Sequence, residues 1–277
     1  MNEMALAGIE VVTLAPNVPG PAAAARLRDL GARVTKIEPP SGDYLASGAP
    51  RWYEDLHRDM RIEKFDLKTP EGKRALEAEL AGADVLLTSS RLSALDRLGL
   101  GWSDLHARFP RLVHVAIVGH APPDDESAGH DLNYVSDIGL VDPPAMPRTL
   151  LADLAGSERA VSATLAALLR RERRGAAERE IVSLRDAAAV FGAPLAHGLT
   201  APGGSLGGGL GVYGLYRAKD GWLAVAALEP HFALKVRDLI GGGKSDPATL
   251  AWAFAEREVA AWVAWAQEND LPISAVR

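Results

Sequence analysis

The chain has 277 residues, of which 48% are hydrophobic and 24% are charged, as is typical of a soluble globular protein with one large or two medium domains. Its net charge of −6 argues against a nucleic-acid-binding protein, which normally presents a basic face. The absence of cysteine excludes disulfides, a thiolate nucleophile and cysteine-ligated metal centres.

The sequence also lacks recognisable targeting segments and metal-binding motifs. The first ten residues, MNEMALAGIE, lack the basic segment and apolar run of a secretory signal. No stretch of about 18 apolar residues is present to span a membrane. No two histidines have the spacing of metal ligands on one helix. We therefore expect a cytoplasmic protein without a metal site.

The first 120 residues alternate between short apolar runs and helical segments. Strands are predicted at 8–16, 33–40, 84–90 and 111–120, and helices at 22–32, 69–83, 91–101 and 102–110. Thr69 and Pro70 are a good start signal for the second helix, and Gly31 is a plausible end for the first. The alternation predicts an α/β fold, a Rossmann-like parallel sheet with right-handed crossovers and helices on both faces.

The rest of the chain adds helices and a change of composition. A long amphipathic helix is predicted at 153–175, and a strand and helix at 179–199. The Gly-rich segment 200–211 is interpreted as a hinge, a linker or a loop of close backbone approach. A hairpin at 212–228 and helices at 230–241 and 247–269 follow. We therefore expect a large Rossmann-like domain at 1–199 and a small α+β domain at 212–277.

The turn after the first strand is where a Rossmann fold would bind the phosphates of NAD or FAD. That site needs three glycines at G-x-G-x-x-G spacing, whereas APNVPGPAAAA has one, Gly20. Glu38 ends the second strand, where an acidic residue would hold a ribose, but alone it is a weak signal. We expect the scaffold without a tightly bound cofactor.

Three polar residues stand beside predicted element ends. His130 lies in AGHDLNYVSDIGLV, Asp153 precedes the long helix, and Glu229 precedes a proline in ALEPHF. Each has an ordinary structural interpretation: a histidine in a turn, a helix N-cap worth about 1 kcal/mol, and an acid favoured by a helix dipole. Their local sequence leaves structural and catalytic interpretations open.

Longer segments resemble one family over nearly the whole chain. GIEVVTLAPNVPGPAAAARLRDLGARVTKIEPPSGD, FDLKTPEGKRAL, ADVLLTSSRLSALDRLGLGWSDL and PRLVHVAIVGH resemble, in order, the family III CoA-transferases of CaiB/BaiF type. That family includes α-methylacyl-CoA racemase. GHDLNYV, LLADLAGS and YRAKDGWLAVAALEPHF resemble the racemase branch, because transferases usually have tyrosine where this chain has His130. The resemblance implies an acyl-CoA substrate, with coenzyme A entering only as part of the thioester.

The racemase branch implies a role for each polar residue. His130 and Asp153 would act as base and acid on opposite faces of the α-carbon, through an enolate. Glu229 would orient the imidazole and stabilise its charged form. Backbone amides at the start of the helix after Asp153 would stabilise the enolate oxygen. In the transferase branch, Asp153 is instead a nucleophile that forms a mixed anhydride and then an aspartyl-CoA thioester.

The family pattern also indicates how the phosphates of coenzyme A would be bound. Lys36, Arg61 and Arg91 are the candidates, and the alternative is that all three are solvated surface charges. APPDDES replaces the Gly-rich loop that usually follows the fourth strand, and its three acids oppose a phosphorylated ligand.

Partners and activity follow from the same resemblance. The family forms interlocked homodimers, so we expect a homodimer, with the interlock left open because the usual C-terminal return segment is absent. No nucleic acid or membrane partner is expected. Three hypotheses remain: a 2-methylacyl-CoA racemase or epimerase, a CoA-transferase with Asp153 as nucleophile, and a homologue that binds acyl-CoA without turnover.

Overall fold

A computed structural model describes residues 4–277, and the chain forms two compact units. The first unit extends to Phe191 and the second is Gly192–Arg277. The division falls inside a helix rather than in the Gly-rich segment 200–211, which belongs to the second unit. The proposed domains 1–199 and 212–277 stay a prediction about parts that fold independently.

The first unit contains a six-stranded parallel sheet. Its strands are β1 (Glu10–Thr13), β2 (Arg33–Glu38), β3 (Arg61–Lys64), β4 (Val85–Thr88), β5 (Val113–Val118) and β6 (Arg179–Ser183). Their order is β3-β2-β1-β4-β5-β6, and every neighbouring pair is parallel. This is the order of a doubly wound sheet, in which the winding reverses between β1 and β4. The predicted α/β fold is confirmed.

Nine helices connect and follow these strands within the described residues. They are α1 (Pro19–Asp29), α2 (Tyr44–Gly48), α3 (Pro50–His57), α4 (Pro70–Leu80), α5 (Leu92–Leu98), α6 (Trp102–Arg108), α7 (Asp131–Asp137), α8 (Leu151–Arg174) and α9 (Leu184–Ala196). The predicted cap of α4 is present, since Thr69 Oγ1 accepts the Gly72 N–H at 3.1 Å. Gly31 follows α1 with a φ of +104°, as its predicted role requires.

Side chains that alternate along the strands cover both faces of the sheet. Val11 and Leu87 pack on the face that holds α1 and α8, whereas Val12 and Leu86 pack on the face that holds α4, α5 and α6. Leu86 and Leu87 are both fully buried. Truncating either to alanine is expected to cost about 2–5 kcal/mol, because each fills a close-packed layer.

Three elements, β3, α2 and α3, go beyond the sequence prediction. The strand β3 reads Arg-Ile-Glu-Lys, which is not an apolar run, and it lies at the edge of the sheet with three of its four residues exposed. Asp43 caps α2, and Pro50 is the first residue of α3. Both are ordinary start signals, but the segment is too short to show periodicity.

The second unit contains a three-stranded antiparallel sheet, three α-helices and two five-residue π-helical segments, Ser205–Gly209 and Val236–Ile240. The strands and α-helices are β7 (Tyr213–Arg217), β8 (Trp222–Ala226), α10 (Pro230–Lys235), α11 (Pro247–Phe254), α12 (Val259–Glu268) and β9 (Ile273–Ala275). The predicted hairpin is confirmed, because Arg217 pairs with Trp222 and the Ala218 N–H donates to the Gly221 carbonyl. The single helix predicted at 247–269 is wrong. It ends at Phe254 and restarts at Val259, whose N–H donates to Asp220.

The Gly-rich segment is a loop of close backbone approach. A Cβ added to Gly207 would lie 1.9 Å from the Ala201 carbonyl oxygen, and one added to Gly204 would lie 2.2 Å from the Gly198 oxygen. Larger residues would therefore prevent the chain from folding back on itself here. Of the residues described, no helix combines the length and apolar character needed to cross a membrane.

Candidate functional site

A cavity of about 150 Å³ lies where β1, β4 and β5 end. Its polar wall is formed by residues that follow these strands and by residues of α7 and α8, namely Asn17, Ser89, Gly119, Gly129, His130, Tyr134 and Asp153. In a doubly wound sheet the carboxyl ends of the strands at the reversal point form a crevice between diverging connections, which is where such folds bind ligands. The cavity lies at that point.

His130 lies immediately before α7 and lines this cavity. Asn133 holds the backbone of His130 in place: its Oδ1 accepts the His130 N–H at 3.0 Å, and its own N–H donates to the His130 carbonyl at 2.8 Å. These hydrogen bonds fix the turn that places His130 in the wall of the cavity.

Asp153 is the third residue of α8, which begins at Leu151, so its interpretation as the N-cap is wrong. The capping role belongs to Asp131, a buried residue of α7. Its Oδ1 accepts the Ala152 N–H at 2.7 Å and the Asp153 N–H at 3.0 Å. Because a neighbouring carboxylate caps the helix, the side chain of Asp153 is left to line the cavity.

The protonation of Asp153 is unusual for an aspartate. Burial, and secondly the negative charge of Asp131, raise its pKa to about 7. Both effects disfavour the ionised form, since a second charge must then be held close to the first in a poorly solvated place. Asp153 can therefore both hold and release a proton near neutral pH, which suits general acid–base chemistry.

Tyr134 is a site residue that the sequence analysis does not single out. Its ring is almost fully buried and fits against two glycines: a Cβ on Gly119 would lie 2.2 Å from the Tyr134 hydroxyl oxygen, and one on Gly129 would lie 2.7 Å from its ring. Burial, and then the charge of Asp153, raise the pKa of Tyr134. The hydroxyl thus stays protonated beside Asp153. The sequence signal for Tyr134 is its position four residues after His130, because residues four apart lie on the same face of a helix.

The predicted source of enolate stabilisation is not supported. The amides of Ala152 and Asp153 donate to Asp131, and the amide of Leu154 donates to the Leu150 carbonyl at 3.0 Å. These N–H groups at the start of α8 are already satisfied, so they are not positioned for a substrate oxygen. The Asp131 carboxylate of α7 accepts two of the N–H groups that the prediction assigned to the enolate oxygen.

Lys36 lies inside the protein, contrary to its predicted contact with a phosphate. Its side chain is 1% exposed, and its ammonium group contacts Asp43 Oδ2 at 2.5 Å. Lys36 therefore serves internal partners, and neither a phosphate contact nor a solvated surface charge describes it in this fold. The sequence does not reveal the burial of Lys36, because a lysine within a strand is normally expected to reach solvent. In a parallel sheet both faces are covered, so a lysine in the middle of a strand can be enclosed.

The two arginine candidates differ in position. Arg61 lies on the outermost strand β3 and forms ion pairs with Glu79 and Glu63. Arg91 precedes α5 and follows β4 by three residues, so it lies at the strand ends that form the cavity. Of these two cations, Arg91 is the better placed for a ligand that enters the cavity. Their binding of coenzyme A phosphates stays a prediction.

The acidic loop APPDDES contacts the start of α5. Glu126 accepts hydrogen bonds from the Ser93 N–H at 3.2 Å and the Ser93 hydroxyl at 2.8 Å. The hydrogen bond from Ser93, together with the charges of Arg91 and Arg97, lowers the pKa of Glu126. The loop therefore places a carboxylate near Arg91 and offsets part of its positive charge.

Glu229 belongs to the second unit, where it is exposed and immediately precedes α10. Its carbonyl accepts the Ala233 N–H at 2.9 Å, as expected for a residue at a helix start. The predicted support of His130 by Glu229 stays a prediction. Within residues 4–277, no group of histidine and acidic side chains is arranged to hold a metal ion.

A larger groove, of about 440 Å³, lies elsewhere in the first unit, between α8, β6 and α9. Its walls include Ile181, Val190 and Phe191, and none of the predicted site residues. Size alone therefore does not identify the reaction centre. The smaller cavity joins His130 to Asp153 and is the better candidate.

Comparison with known proteins now assigns the chain. The family model described as CoA-transferase family III matches residues 6–277. The chain belongs to CoA-transferase family III. The resemblance seen in the sequence motifs is confirmed.

Named relatives in family III include both racemases and transferases. Human alpha-methylacyl-CoA racemase is 34% identical over 262 residues, covering 88% of this chain and 66% of the relative. Cinnamoyl-CoA:phenyllactate CoA-transferase from Clostridium sporogenes is 34% identical over 143 residues, covering 47% of this chain and 35% of the relative. The chain thus spans less than two thirds of the length of either relative.

Solved structures confirm the fold. The hypothetical protein Rv3272 from Mycobacterium tuberculosis matches with a TM-score of 0.86 and 26% identity, over 100% of this chain and 86% of that one. A CaiB/BaiF family protein from Brucella suis matches with a TM-score of 0.85 and 24% identity, over 100% of this chain and 85% of that one. Both units of the described chain therefore have the family fold.

Proposed function

We propose that the protein is an acyl-CoA racemase or epimerase that inverts the α-carbon of a 2-methylacyl-CoA thioester. One observation carries the proposal: His130 and Asp153 line the same cavity, and the pKa of Asp153 is raised to about 7. Inversion needs one group that removes the α-proton and another that returns a proton to the opposite face. A histidine on one side, with an aspartate that exchanges its proton near neutral pH on the other, supplies both.

The chemistry proceeds through an enolate. Removal of the α-proton by one member of the pair leaves the charge on the thioester oxygen, and the other member then protonates the opposite face of the carbon. The reverse reaction uses the same two groups with their protonation exchanged. Glu229 is the proposed support for the charged imidazole, and Arg91 the proposed contact for a coenzyme A phosphate.

The protonation of Asp153 favours this reaction over CoA transfer. A transferase would use the Asp153 carboxylate as a nucleophile, which requires the ionised form throughout the working range. Burial beside Asp131 works against that form below pH 7. Transfer remains the second candidate because relatives such as the Clostridium sporogenes protein are named transferases and the same aspartate would serve them.

Exchange of the α-proton with deuterated water tests the proposal. With both epimers of a 2-methylacyl-CoA, the wild type should exchange each, and H130A and D153N should each slow exchange of the epimer whose base is removed by at least about a hundredfold, the contribution typical of a positioned acid or base. S162A, in the larger groove, is the control and should retain the wild-type rate. Movement of CoA to a free acid without α-exchange would contradict the racemase and support the transferase.

A further inference from the structure

A cluster of buried charges lies at the end of β2. Lys36 is 1% exposed, and Glu38, Asp43 and His57 are each no more than 5% exposed. The ammonium nitrogen of Lys36 has three partners: Asp43 Oδ2 at 2.5 Å, His57 Nε2 at 2.7 Å and Glu38 Oε1 at 3.2 Å. The cluster thus holds one cation and two carboxylates out of water.

Hydrogen bonds with neighbouring groups also engage polar atoms of His57 and Glu38. Burial, and then the charge of Lys36, lower the pKa of His57, so its imidazole is neutral near pH 7. The neutral ring accepts from Lys36 through Nε2, which assigns the proton to Nδ1, 2.7 Å from the Tyr53 carbonyl. The Tyr53 hydroxyl donates to Glu38 at 2.6 Å. Every charged group in the cluster therefore has a partner.

Stability is a weak reason for such an arrangement. Each buried ion costs several kcal/mol of desolvation, and apolar residues of similar volume are often equally stable in its place. A buried ionic cluster that persists is better explained by what it holds in position. The segment that this cluster holds is indicated by Asp43, which also contacts the backbone that follows β1.

Asp43 connects the cluster to the cavity. Its two carboxylate oxygens lie 3.1 Å and 3.2 Å from the N–H of Asn17, which lines the cavity together with His130 and Asp153. Asn17 has a φ of +66°, a left-handed conformation that is uncommon for residues other than glycine and costs free energy. The carboxylate therefore holds a strained residue in the cavity wall.

We propose that Lys36 and Asp43 are positioning residues for the reaction, holding the segment 14–18 as one wall of the cavity. Lys36 holds the Asp43 carboxylate in place, and that carboxylate holds the backbone N–H of Asn17. Asn17 in turn shapes the space in which the substrate meets His130 and Asp153. The effect on turnover rests on the proposed function. The effect on the rigidity of segment 14–18 does not rest on it, so turnover and rigidity are tested separately.

The chain provides a matched control at the other end of β1. Asp84 Oδ2 accepts the Glu10 N–H at 2.9 Å, and Asp84 Oδ1 pairs with the buried Arg171 at 2.9 Å. It repeats the arrangement of cation, carboxylate and backbone amide, but where β1 begins rather than where it ends. D43N and D84N therefore remove the same kind of contact at opposite ends of β1.

Two readouts are measured on both variants: amide hydrogen exchange of the peptide containing residues 14–18, and the kinetics of α-proton exchange. D43N should speed amide exchange in that peptide about tenfold and lower kcat about tenfold or more, with KM changed less than about threefold, since a misplaced wall affects alignment more than binding. D84N should lower the melting temperature while leaving both readouts at the wild-type level.

Unchanged amide protection in D43N, or an equal loss of kcat in D84N, overturns the proposal. If the wild type shows no α-proton exchange, the proposed function fails, and the amide readout alone decides whether Asp43 holds the wall. If D43N does not fold, the variant K36M/E38Q/D43L removes the buried charges together and replaces the ion pair with apolar groups, as buried sites often tolerate. The same results are expected of it and the same results overturn the proposal.

Discussion

At the residue scale, Asp153 holds a proton at a pH where an ordinary aspartate is ionised. Its pKa near 7 means that the folded protein binds this proton between about pH 4 and 7, whereas the unfolded chain has released it. The folded state is therefore progressively destabilised as pH rises from 4 to 7, and the full cost remains above pH 7. The acid–base function of the site and its instability have the same cause.

D153N should therefore be more stable than the wild type at pH 8, by on the order of 2–4 kcal/mol, and the difference should shrink towards zero at pH 4. Urea unfolding across this range measures it. D246N is the control with opposite sign: hydrogen bonds from Thr249 lower the pKa of Asp246, so that variant should lose stability above pH 4. A D153N variant less stable than the wild type at pH 8 would contradict the account of Asp153.

At the element scale, the loop between β5 and α7 brings His130 to the cavity and Glu126 to α5. Because Glu126 offsets the charge of Arg91, E126Q should bind coenzyme A about two- to fivefold more tightly at low salt, an effect of the size expected for an exposed charge. The glutamine can still accept from Ser93. Titration calorimetry measures the change. Unchanged affinity in E126Q would contradict a phosphate near Arg91.

The alternation of strands and helices could be predicted because it depends on local signals: the apolar runs of β4 and β5, the Thr69 cap, the turn at 219–221. The edge strand β3 could not, because its residues are polar and only pairing with β2 makes it a strand. The same distinction applies at the site. His130 and Asp153 were recognised by motif, whereas the cap from Asp131 and the burial of Lys36 depend on contacts distant in sequence.

At the scale of the whole molecule, the strand order of the doubly wound sheet places the cavity where the winding of the connections reverses, between β1 and β4. His130 and Asp153 form the proposed pair in that cavity, and the Asp43 cluster is proposed to hold the wall that contains Asn17. Homodimer formation and the contribution of Glu229 to His130 remain predictions at this scale. The central claim concerns the pair: two groups move the α-proton from one face of the carbon to the other.

The most direct measurement starts from one pure epimer of a 2-methylacyl-CoA in deuterated water and analyses both epimers at low conversion by mass spectrometry. Two groups on opposite faces predict that the product epimer carries deuterium at the α-carbon while the recovered starting epimer carries almost none, and that H130A and D153N form no product. A product that retains the original α-proton, or CoA that moves to a free acid while the α-carbon stays unchanged, would contradict the account.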